Sequence, residues 1–314
     1  MSLARKNNGI KLKPLPSKGT IAVTAPASPP DEKKLQNGIS YLEKLGYRVE
    51  IGKTCYTKNY YLAGSDKLRA RELMDFFSDP KVDAIFCARG GFGSMGLLPL
   101  LDYEVIKKSR KLLVGFSDIT ALEWGIYAQT SLPTISGGMV GTDMGTLPIN
   151  EQFESHFWEL INSGMLNIEL AFESEKENLI VGNGFAGTMS VASKLVGTPY
   201  FPQISDGILI FEDVHEYRHK IDGLLQHFKL SGLFNTCKAI LLGKFIPADD
   251  ENEDELPAVE KLYQRIFESF NIPVITDVSY GHIKEKMPMP VGISMQLTLG
   301  PKSYLKTQEP IFKS

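Results

Sequence analysis

Cysteine is scarce in this 314-residue chain, and long apolar runs are missing. The three cysteines, Cys55, Cys87 and Cys237, are odd in number and far apart, which argues against a disulfide framework and predicts a reducing, cytoplasmic location. No apolar run approaches the roughly 18 residues of a membrane span, and residues 1–19 mix Lys, Asn and Pro without a signal-peptide core. We therefore expect a protein that is neither exported nor membrane-bound.

An excess of positive charge is also missing. The chain has 34 Lys and Arg against 37 Asp and Glu, a net charge of −3. No global positive field would attract phosphates, so nucleic acid is not an expected partner. What is present is 43% hydrophobic and 23% charged residues, enough for a buried core. At about 100 to 200 residues per domain, the length predicts two domains.

The first half of the chain alternates short apolar runs with segments of helical periodicity. Strands are predicted at 20–25, 47–51, 82–88 and 111–116, and helices at 31–46, 65–78, 96–108 and 117–129. Strands that alternate with helices of this length predict a parallel sheet covered on both faces, and therefore an α/β fold.

The residue composition changes after Pro133, where glycine and polar residues become frequent. We predict a first domain at 13–148, a linker at 149–183 and a second domain at 184–314. The second domain mixes strands (207–211, 238–242, 296–300) with helices (about 214–229 and 257–270), and its acidic stretch, 249–255, is interpreted as a solvated loop.

A glycine-rich stretch, Gly91 to Gly96, fits G-x-G-x-x-G, and Asp118 follows it by 22 residues. After a strand and before a helix, this spacing is typical of NAD or FAD binding, which would make the protein a dinucleotide-dependent oxidoreductase. However, the stretch follows the third strand of its domain instead of the first. A tight turn whose amides face something other than phosphate is the alternative.

A histidine pair, His215 and His219, fits H-E-x-x-H with Glu216 as a general base for zinc. The motif begins in the first turn after a strand, and no third ligand is evident. His227 would lie about 12 Å farther along the helix, and the glutamates of 249–255 would need a long return of the chain. Solvated or capping histidines are the simpler interpretation, and no metal is expected.

Ser117 lies in a turn where an apolar run ends and a helix begins, Gly115-Phe116-Ser117-Asp118-Ile119-Thr120. A serine at such a turn presents its hydroxyl at the carboxyl edge of the sheet, where ligands of open α/β sheets bind. Ile119 occupies the last glycine position of a full nucleophile elbow, and helix capping is the alternative role for this serine.

A nucleophilic serine needs a base, and the base needs an orienting carboxylate. Of the five histidines, His282 lies in a loop between an apolar strand and residues 288–292, where a side chain can be presented. Glu212 directly follows the strand 208–211. Ser117, Glu212 and His282 therefore supply a nucleophile, an orienting carboxylate and a base, although their spacing in the sequence does not show that they meet.

Several motifs in order, from about Lys13 to Gly300, resemble the LD-carboxypeptidases, a family of serine peptidases that includes muramoyl-tetrapeptide carboxypeptidases and microcin C immunity peptidases. They are Thr20-Ile21-Ala22-Val23-Thr24-Ala25-Pro26-Ala27-Ser28, Ala63-Gly64-Ser65-Asp66, Arg89-Gly90-Gly91-Phe92-Gly93, the Ser117 turn, Gly197-Thr198-Pro199-Tyr200, Phe211-Glu212-Asp213-Val214 and Gly281-His282.

This resemblance implies a flavodoxin-like N-terminal domain that carries the serine, and a C-terminal swivelling β/α domain that carries Glu212 and His282, often in a homodimer. By motif, Ser117 becomes the nucleophile, His282 the general base and Glu212 its orienting carboxylate. The amides of Gly91 and Asp118 become the oxyanion hole, with Arg89 and Gly90 as candidate substrate contacts. The implied activity is release of terminal D-Ala from a murein tetrapeptide in cell-wall recycling, without metal or other cofactor.

The sequence departs from the family pattern at three places: Ser136-Gly137-Gly138 replaces His-Gly-Pro, Thr188-Met189 replaces Asn-Leu, and Gly223 replaces an arginine. We expect these differences to affect the choice of substrate more than the chemistry. Hydrolysis of a peptidyl or aminoacyl nucleotide and ligand binding without turnover are the other interpretations, beside the oxidoreductase.

Overall fold

The computed structural model describes residues 10–248 and 258–313. The acidic stretch predicted as a solvated loop, 249–255, lies outside the described residues. No helix within the described ranges is long and apolar enough to cross a membrane.

Five parallel strands build the first sheet, and helices connect them. The strands are β1 (Thr20–Thr24), β2 (Arg48–Ile51), β3 (Ala84–Cys87), β4 (Leu112–Gly115) and β5 (Thr134–Ser136). The helices are α1 (Glu32–Lys44), α2 (Asp66–Ser78), α3 (Tyr103–Ser109), α4 (Thr120–Thr130) and α5 (Glu151–Ser163), with short 3₁₀ helices at Lys53–Tyr56, Ser94–Leu100 and Ser117–Ile119.

The rest of the described chain builds a second, mixed sheet. Its strands are β6 (Asn167–Leu170), β7 (Asn178–Thr188), β8 (Gly207–Glu216), β9 (Cys237–Pro247), β10 (Val274–Ile275), β12 (Ser294–Leu299) and β13 (Ser303–Thr307), while β11 (Met289–Val291) joins the first sheet. The helices are α6 (Met189–Ser193), α7 (Arg218–Leu230) and α8 (Val259–Phe267), with a 3₁₀ helix at Leu233–Asn235.

The first sheet has the strand order β2-β1-β3-β4-β5, with β11 antiparallel at the β5 edge. The inner strands β1, β3 and β4 are wholly buried and largely apolar, as expected for a parallel sheet with helices on both faces, whereas β2 at the edge is partly exposed. The order 2-1-3-4-5 is that of the flavodoxin-like folds. The predicted α/β class, with a flavodoxin-like domain followed by a second β/α domain, is confirmed.

The second sheet has the order β10-β9-β8-β7-β12-β13-β6, and its four strands from β7 to β10 run parallel. Trp124 on α4 joins the two sheets because its indole N–H donates to the Ala186 carbonyl at 2.8 Å and its ring packs on Phe185 and Phe211. A continuous core therefore holds the carboxyl edges of the two sheets close together.

Two predicted helices are wrong in their bounds. The segment predicted as one helix at 96–108 contains two helices, a 3₁₀ helix that includes Pro99 and then α3. They are separate because the Asp102 carboxylate caps α3 by accepting from the Glu104 and Val105 amides. The helix predicted at about 214–229 begins only at Arg218, because β8 continues to Glu216.

The range predicted as a linker, 149–183, contains α5, β6 and the beginning of β7. Helix α5 buries Phe153, Phe157 and Leu160, and Phe157 packs edge-on against Phe86 of β3. This segment therefore covers part of the first sheet and supplies the edge strand of the second sheet.

Candidate active site

Ser117 occupies a strained turn at the carboxyl end of β4. Its φ of 63° lies in the left-handed region, which costs free energy for a serine and is frequent at functional sites. The turn is so tight that a Cβ at Gly115 would lie 2.3 Å from Ile119 Cγ2. The strand and the α4 helix therefore hold the Ser117 hydroxyl out at the sheet edge.

Three side chains from distant parts of the chain meet in one hydrogen-bonded line. His282 Nε2 lies 3.0 Å from Ser117 Oγ, and His282 Nδ1 lies 2.7 Å from Glu212 Oε2. The Glu212 side chain is fully buried, whereas His282 is partly exposed. The arrangement allows a neutral imidazole to take a proton from the serine while the carboxylate stabilises the resulting cation.

Glu212 is held by a fourth side chain. Thr188 lies opposite Glu212 in the parallel pairing of β7 with β8, and its hydroxyl donates to Glu212 Oε1 at 2.5 Å. Both carboxylate oxygens therefore have a donor although the group is buried, which offsets the cost of removing the charge from water.

The loop between β10 and β11 carries His282. Gly281 has a φ of 145°, and a Cβ there would lie 3.1 Å from the Lys244 carbonyl oxygen, so a larger residue would displace the loop. The imidazole packs on the Phe116 ring with centroids 4.8 Å apart, and the buried Tyr280 hydroxyl lies 2.8 Å from Ser136 Oγ. These contacts fix the direction in which His282 points.

The turn of Arg89, Gly90 and Gly91 packs directly on Ser117. A Cβ at Gly90 would lie 2.8 Å from Ser117 Cβ and 3.2 Å from the Asp118 amide nitrogen. The Gly91 amide has no acceptor within the described ranges of the chain. Arg89 is exposed, and it donates one hydrogen bond to the Pro29 carbonyl at 3.0 Å.

Asp118 does not face the serine hydroxyl. Its carboxylate accepts from the Ser94 amide at 2.8 Å, and its carbonyl accepts from the Ser94 hydroxyl at 2.5 Å. Burial raises the pKa of Asp118, while the hydrogen bonds from Ser94 oppose this effect. The Asp118 side chain thereby ties the Ser117 turn to the glycine-rich turn. The group of Asp118 that can act on a substrate is its backbone amide.

Burial perturbs two further carboxyl groups near the site. It raises the pKa of Asp213, the neighbour of Glu212 in sequence, to about 7, and the nearby Glu212 charge adds to this effect. It raises the pKa of Glu123 on α4 to about 8, an effect that the nearby Ser136 hydroxyl opposes, and neither Glu123 oxygen has a partner at full hydrogen-bond geometry within the described structure. Glu123 is therefore neutral over most of the physiological pH range.

The zinc interpretation of H-E-x-x-H needed both histidines on one helix, and the predicted helix begins only at Arg218. His215 lies in β8 with a φ of 58°, and only His219 lies in α7, where it stacks on Tyr217. The two imidazoles therefore do not share a helix face. Among the described residues, no three His, Cys, Asp or Glu side chains are grouped closely enough to hold a metal ion.

The dinucleotide interpretation of Gly91 to Gly96 is not supported either. The turn opens a 3₁₀ helix that contains Pro99 instead of an α-helix, and Asp118 is engaged with Ser94. The dinucleotide fingerprint places the pyrophosphate at the N-terminus of an α-helix, and this turn leads into a 3₁₀ helix instead.

A cavity of about 790 Å³ is lined in part by His282. We call it the His282 cavity, and its lining includes Phe116, Asp143, Glu151, Lys284 and Lys286. The buried ammonium of Lys286 pairs with Asp143 at 2.8 Å and lies 4.1 Å from the centre of the Phe116 ring.

In the sequence, Thr188 and Ser136 stand out only as departures from a family pattern. The structure places Thr188 on the carboxylate of Glu212 and Ser136 on the hydroxyl of Tyr280. The third departure, Gly223 on α7, faces open space. No local signal in the sequence could have paired Thr188 with Glu212, because that contact depends on the register of two strands.

Comparisons with known proteins cover both halves of the chain. A sequence profile for the LD-carboxypeptidase N-terminal domain matches residues 21–137, and a profile for the LD-carboxypeptidase C-terminal domain matches residues 181–297. Together the two matches include well over half of the chain.

The similarity extends to individual proteins. The chain is 29% identical to the "Probable murein peptide carboxypeptidase" of Bacillus subtilis and 25% identical to the microcin C7 self-immunity protein MccF of Escherichia coli, with 93% of each chain covered in both comparisons. The solved structure of muramoyltetrapeptide carboxypeptidase from Oxalobacter formigenes is similar with a TM-score of 0.85 and 28% identity, over 94% of this chain and 100% of that one.

Proposed function

The chain belongs to the LD-carboxypeptidase family of serine carboxypeptidases, and from this premise we propose that Ser117, His282 and Glu212 are its catalytic residues. The observation that carries the proposal is the continuous line of hydrogen bonds from Ser117 Oγ through the imidazole to the buried carboxylate. The strained backbone of Ser117 supports it, because such strain persists where a side chain must be presented.

The proposed reaction is acyl transfer to Ser117. The serine oxygen attacks the carbonyl carbon of the last amide bond while His282 Nε2 takes the hydroxyl proton. When the C–N bond breaks, His282 returns this proton to the leaving amine. Water then attacks the acyl-enzyme with His282 again as base, which releases the shortened peptide and restores the serine.

We assign the oxyanion hole to the backbone amides of Gly91 and Asp118. The Gly91 amide belongs to a turn that touches Ser117, and its lack of an acceptor among the described residues supports the assignment. Removing one such donor in other serine hydrolases costs about 3 to 4 kcal/mol of transition-state stabilisation. Backbone donors retain this contribution whatever side chain the position carries.

The substrate proposed is a murein tetrapeptide that loses its terminal D-Ala. Support comes from the similarity to a murein peptide carboxypeptidase and to a muramoyltetrapeptide carboxypeptidase. His282 must protonate the leaving amine, so the D-amino acid leaves on the side of the His282 cavity. Gly90 lies against Ser117 and Arg89 precedes it in the same turn, and we propose that the exposed Arg89 guanidinium binds a carboxylate of the peptide.

The test is release of D-Ala from L-Ala-γ-D-Glu-meso-diaminopimelate-D-Ala by the purified protein, with and without EDTA, beside Ser117→Ala. We expect EDTA-resistant release by the wild type and none by the variant. Absence of release by the wild type would contradict the substrate assignment. Release that EDTA abolishes would contradict the serine mechanism.

A second candidate function is hydrolysis of an aminoacyl or peptidyl nucleotide. It is favoured by the 25% identity to a microcin C7 self-immunity protein over 93% of each chain. Incubation with an aminoacyl sulfamoyl adenosine, followed by chromatography of the products, distinguishes the two functions. Cleavage of this compound without cleavage of the tetrapeptide would favour the second candidate.

We further propose that the enzyme acts in the cytoplasm, in peptidoglycan recycling, as a homodimer. All three cysteines are buried and unpaired, which fits a reducing compartment. Cell fractionation tests the location, and light scattering tests whether the mass is twice the chain mass of 34.9 kDa.

A further inference from the structure

A fully buried acid on the helix that follows Ser117 has no role in the mechanism described above. Glu123 lies in α4, and its side chain is closed off from solvent. Neither carboxyl oxygen has a partner at full hydrogen-bond geometry within the described structure. A buried carboxyl group without donors costs free energy, and the ion costs far more than the neutral acid. The protonation state of Glu123 therefore matters to the groups that surround it.

Ser136 links Glu123 to the loop that carries His282. Ser136 is the last residue of β5, and its hydroxyl lies near enough to Glu123 to favour the ionised form of the carboxyl group. The same Ser136 Oγ lies 2.8 Å from the Tyr280 hydroxyl, and both side chains are fully buried. Tyr280 precedes His282 by two residues. Glu123, Ser136 and Tyr280 therefore form a buried polar group that we call the Glu123 cluster.

Tyr280 connects the Glu123 cluster to the imidazole of His282. The Phe116 ring packs edge-on against the Tyr280 ring, with centroids 5.6 Å apart, and against the His282 imidazole, with centroids 4.8 Å apart. The two side chains therefore share one packing partner. Because protein interiors are close-packed, a displacement of Tyr280 reaches His282 through the Phe116 ring as well as along the chain.

Two other titratable groups face Glu123, and burial keeps both of them neutral. They are the Cys87 thiol on β3 and the Tyr280 phenol, and burial raises the pKa of each group well above its ordinary value. The charges of Glu123 and Glu212 add to the effect on Tyr280, because the phenol lies near both carboxyl groups. An ionised Glu123 would therefore place a second negative charge near the buried Glu212 carboxylate.

Ionisation of Glu123 would compete with Tyr280 for Ser136. The Ser136 hydroxyl carries a single hydrogen, and a hydrogen bond to a charged group is stronger than one between neutral groups. Ser136 Oγ is not at hydrogen-bond geometry with either Glu123 oxygen, so it must move towards the carboxylate to donate to it. That movement lengthens the 2.8 Å contact between Ser136 and Tyr280.

Resting on the proposed catalytic role of His282, we propose that protonated Glu123 is a positioning residue. Through Ser136 and Tyr280 it holds His282 Nε2 at 3.0 Å from Ser117 Oγ, and loss of its proton releases the loop that carries His282. The activity therefore has an alkaline limb that belongs to Glu123. This limb affects kcat and not KM, because Glu123 is buried and does not line the His282 cavity.

The experiment compares kcat at pH 7 with kcat at pH 9 in the wild type and in Glu123→Gln, with the tetrapeptide as substrate. Burial raises the pKa of Glu123 to about 8, so the group is about one-tenth ionised at pH 7 and about nine-tenths ionised at pH 9. We expect kcat to fall about tenfold more in the wild type than in Glu123→Gln, because the amide keeps the shape of the neutral acid and cannot ionise.

Glu104→Gln on α3 is the matched control, because Glu104 is an exposed carboxylate, and its pH profile should follow that of the wild type. Equal falls of kcat in the wild type and in Glu123→Gln would overturn the proposal. A difference between them that is confined to KM would also overturn it.

Tyr280→Phe tests the path from Glu123 to His282 and does not depend on how well Glu123→Gln folds. The substitution removes the hydroxyl that contacts Ser136. We expect kcat at pH 7 to fall about two- to tenfold with KM unchanged. The further fall between pH 7 and pH 9 should shrink, because Glu123 can no longer act on the loop. A fall as large as that of the wild type would contradict the path through Ser136.

A fluorophosphonate separates this proposal from the assignment of the substrate. The reagent reacts with an activated serine: a bond forms between Ser117 Oγ and phosphorus, fluoride leaves, and His282 takes the serine proton. Labelling rates at pH 7 and pH 9, followed by mass spectrometry, should show the same tenfold difference between the wild type and Glu123→Gln.

The two failures are distinguishable. If the wild type is labelled but does not cleave the tetrapeptide, the substrate assignment fails, and the labelling rates still decide the role of Glu123. If Ser117 of the wild type is not labelled at either pH, the catalytic role of the serine fails and the role of Glu123 fails with it.

Discussion

The Thr188 hydroxyl donates a 2.5 Å hydrogen bond to Glu212 Oε1, on the opposite side of the carboxylate from His282. This contact extends the line of Ser117, His282 and Glu212 by one residue and places its far end inside the β7–β8 pair. The position of the carboxylate is therefore set by strand pairing as well as by its own strand.

Thr188→Val should lower kcat about 10- to 100-fold with little change in KM. Valine has nearly the same shape but cannot donate, and a hydrogen bond to a buried charged group contributes about 1.5 to 3 kcal/mol. Steady-state kinetics on the tetrapeptide measure the effect. Thr188→Ser keeps the donor and should retain most activity; a comparable loss in the serine variant would point to packing instead of the hydrogen bond.

Glu212→Gln should lower kcat by about 10³ to 10⁴ while leaving the fold intact. The amide cannot stabilise the imidazolium and can donate to Nδ1, which favours the wrong tautomer of His282. Activity assays and circular dichroism measure the two effects. Glu169→Gln on the exposed face of β6 is the control. An active Glu212→Gln enzyme would remove this residue from the mechanism.

Gly90→Ala should lower kcat at least tenfold. The new Cβ would lie 2.8 Å from Ser117 Cβ, so the serine or the glycine turn must move, and small displacements of reacting groups slow catalysis strongly. Gly223→Ala is the matched control because nothing lies within 4 Å of its Cβ. There we expect full activity and a helix stabilised by about 0.5 to 1 kcal/mol. Equal activity in both variants would show that the turn tolerates the contact.

Glu123 should make the wild type less stable as the pH rises from 5 to 8. Its pKa is raised to about 8 by burial, from an ordinary value of 4.5, so the folded state binds the proton more tightly than the unfolded state. This contribution is fully present below pH 4.5 and is lost progressively up to pH 8.

Over that interval the wild type should lose about 3 kcal/mol more of its free energy of unfolding than Glu123→Gln loses. Urea denaturation at pH 5 and pH 8 measures the difference, and the titration of Asp213 cancels between the two proteins. Parallel pH profiles would show that Glu123 is ionised in the folded protein.

Much of the first domain follows from local sequence. The alternation of apolar runs and helical periods predicted its four leading strands and the α/β class, because burial on one face or both leaves a periodic mark. The prediction of one helix at 96–108 was wrong, since Pro99 and the Asp102 cap interrupt the period. The zinc interpretation depended on a helix at His215, and strand pairing with β9 extended β8 through that position instead.

The sequence by itself determined the turn at Ser117, because Gly115 and the start of α4 are local features that force the hydroxyl outwards. The tertiary structure alone decided that Ser117 meets His282, 165 residues away, and that Glu212 meets Thr188. It also decided that the rings of Tyr61 and Phe92 pack edge to face. Contacts between distant segments depend on the order and register of strands and on how two sheets pack, and these are properties of the whole chain that no short stretch encodes.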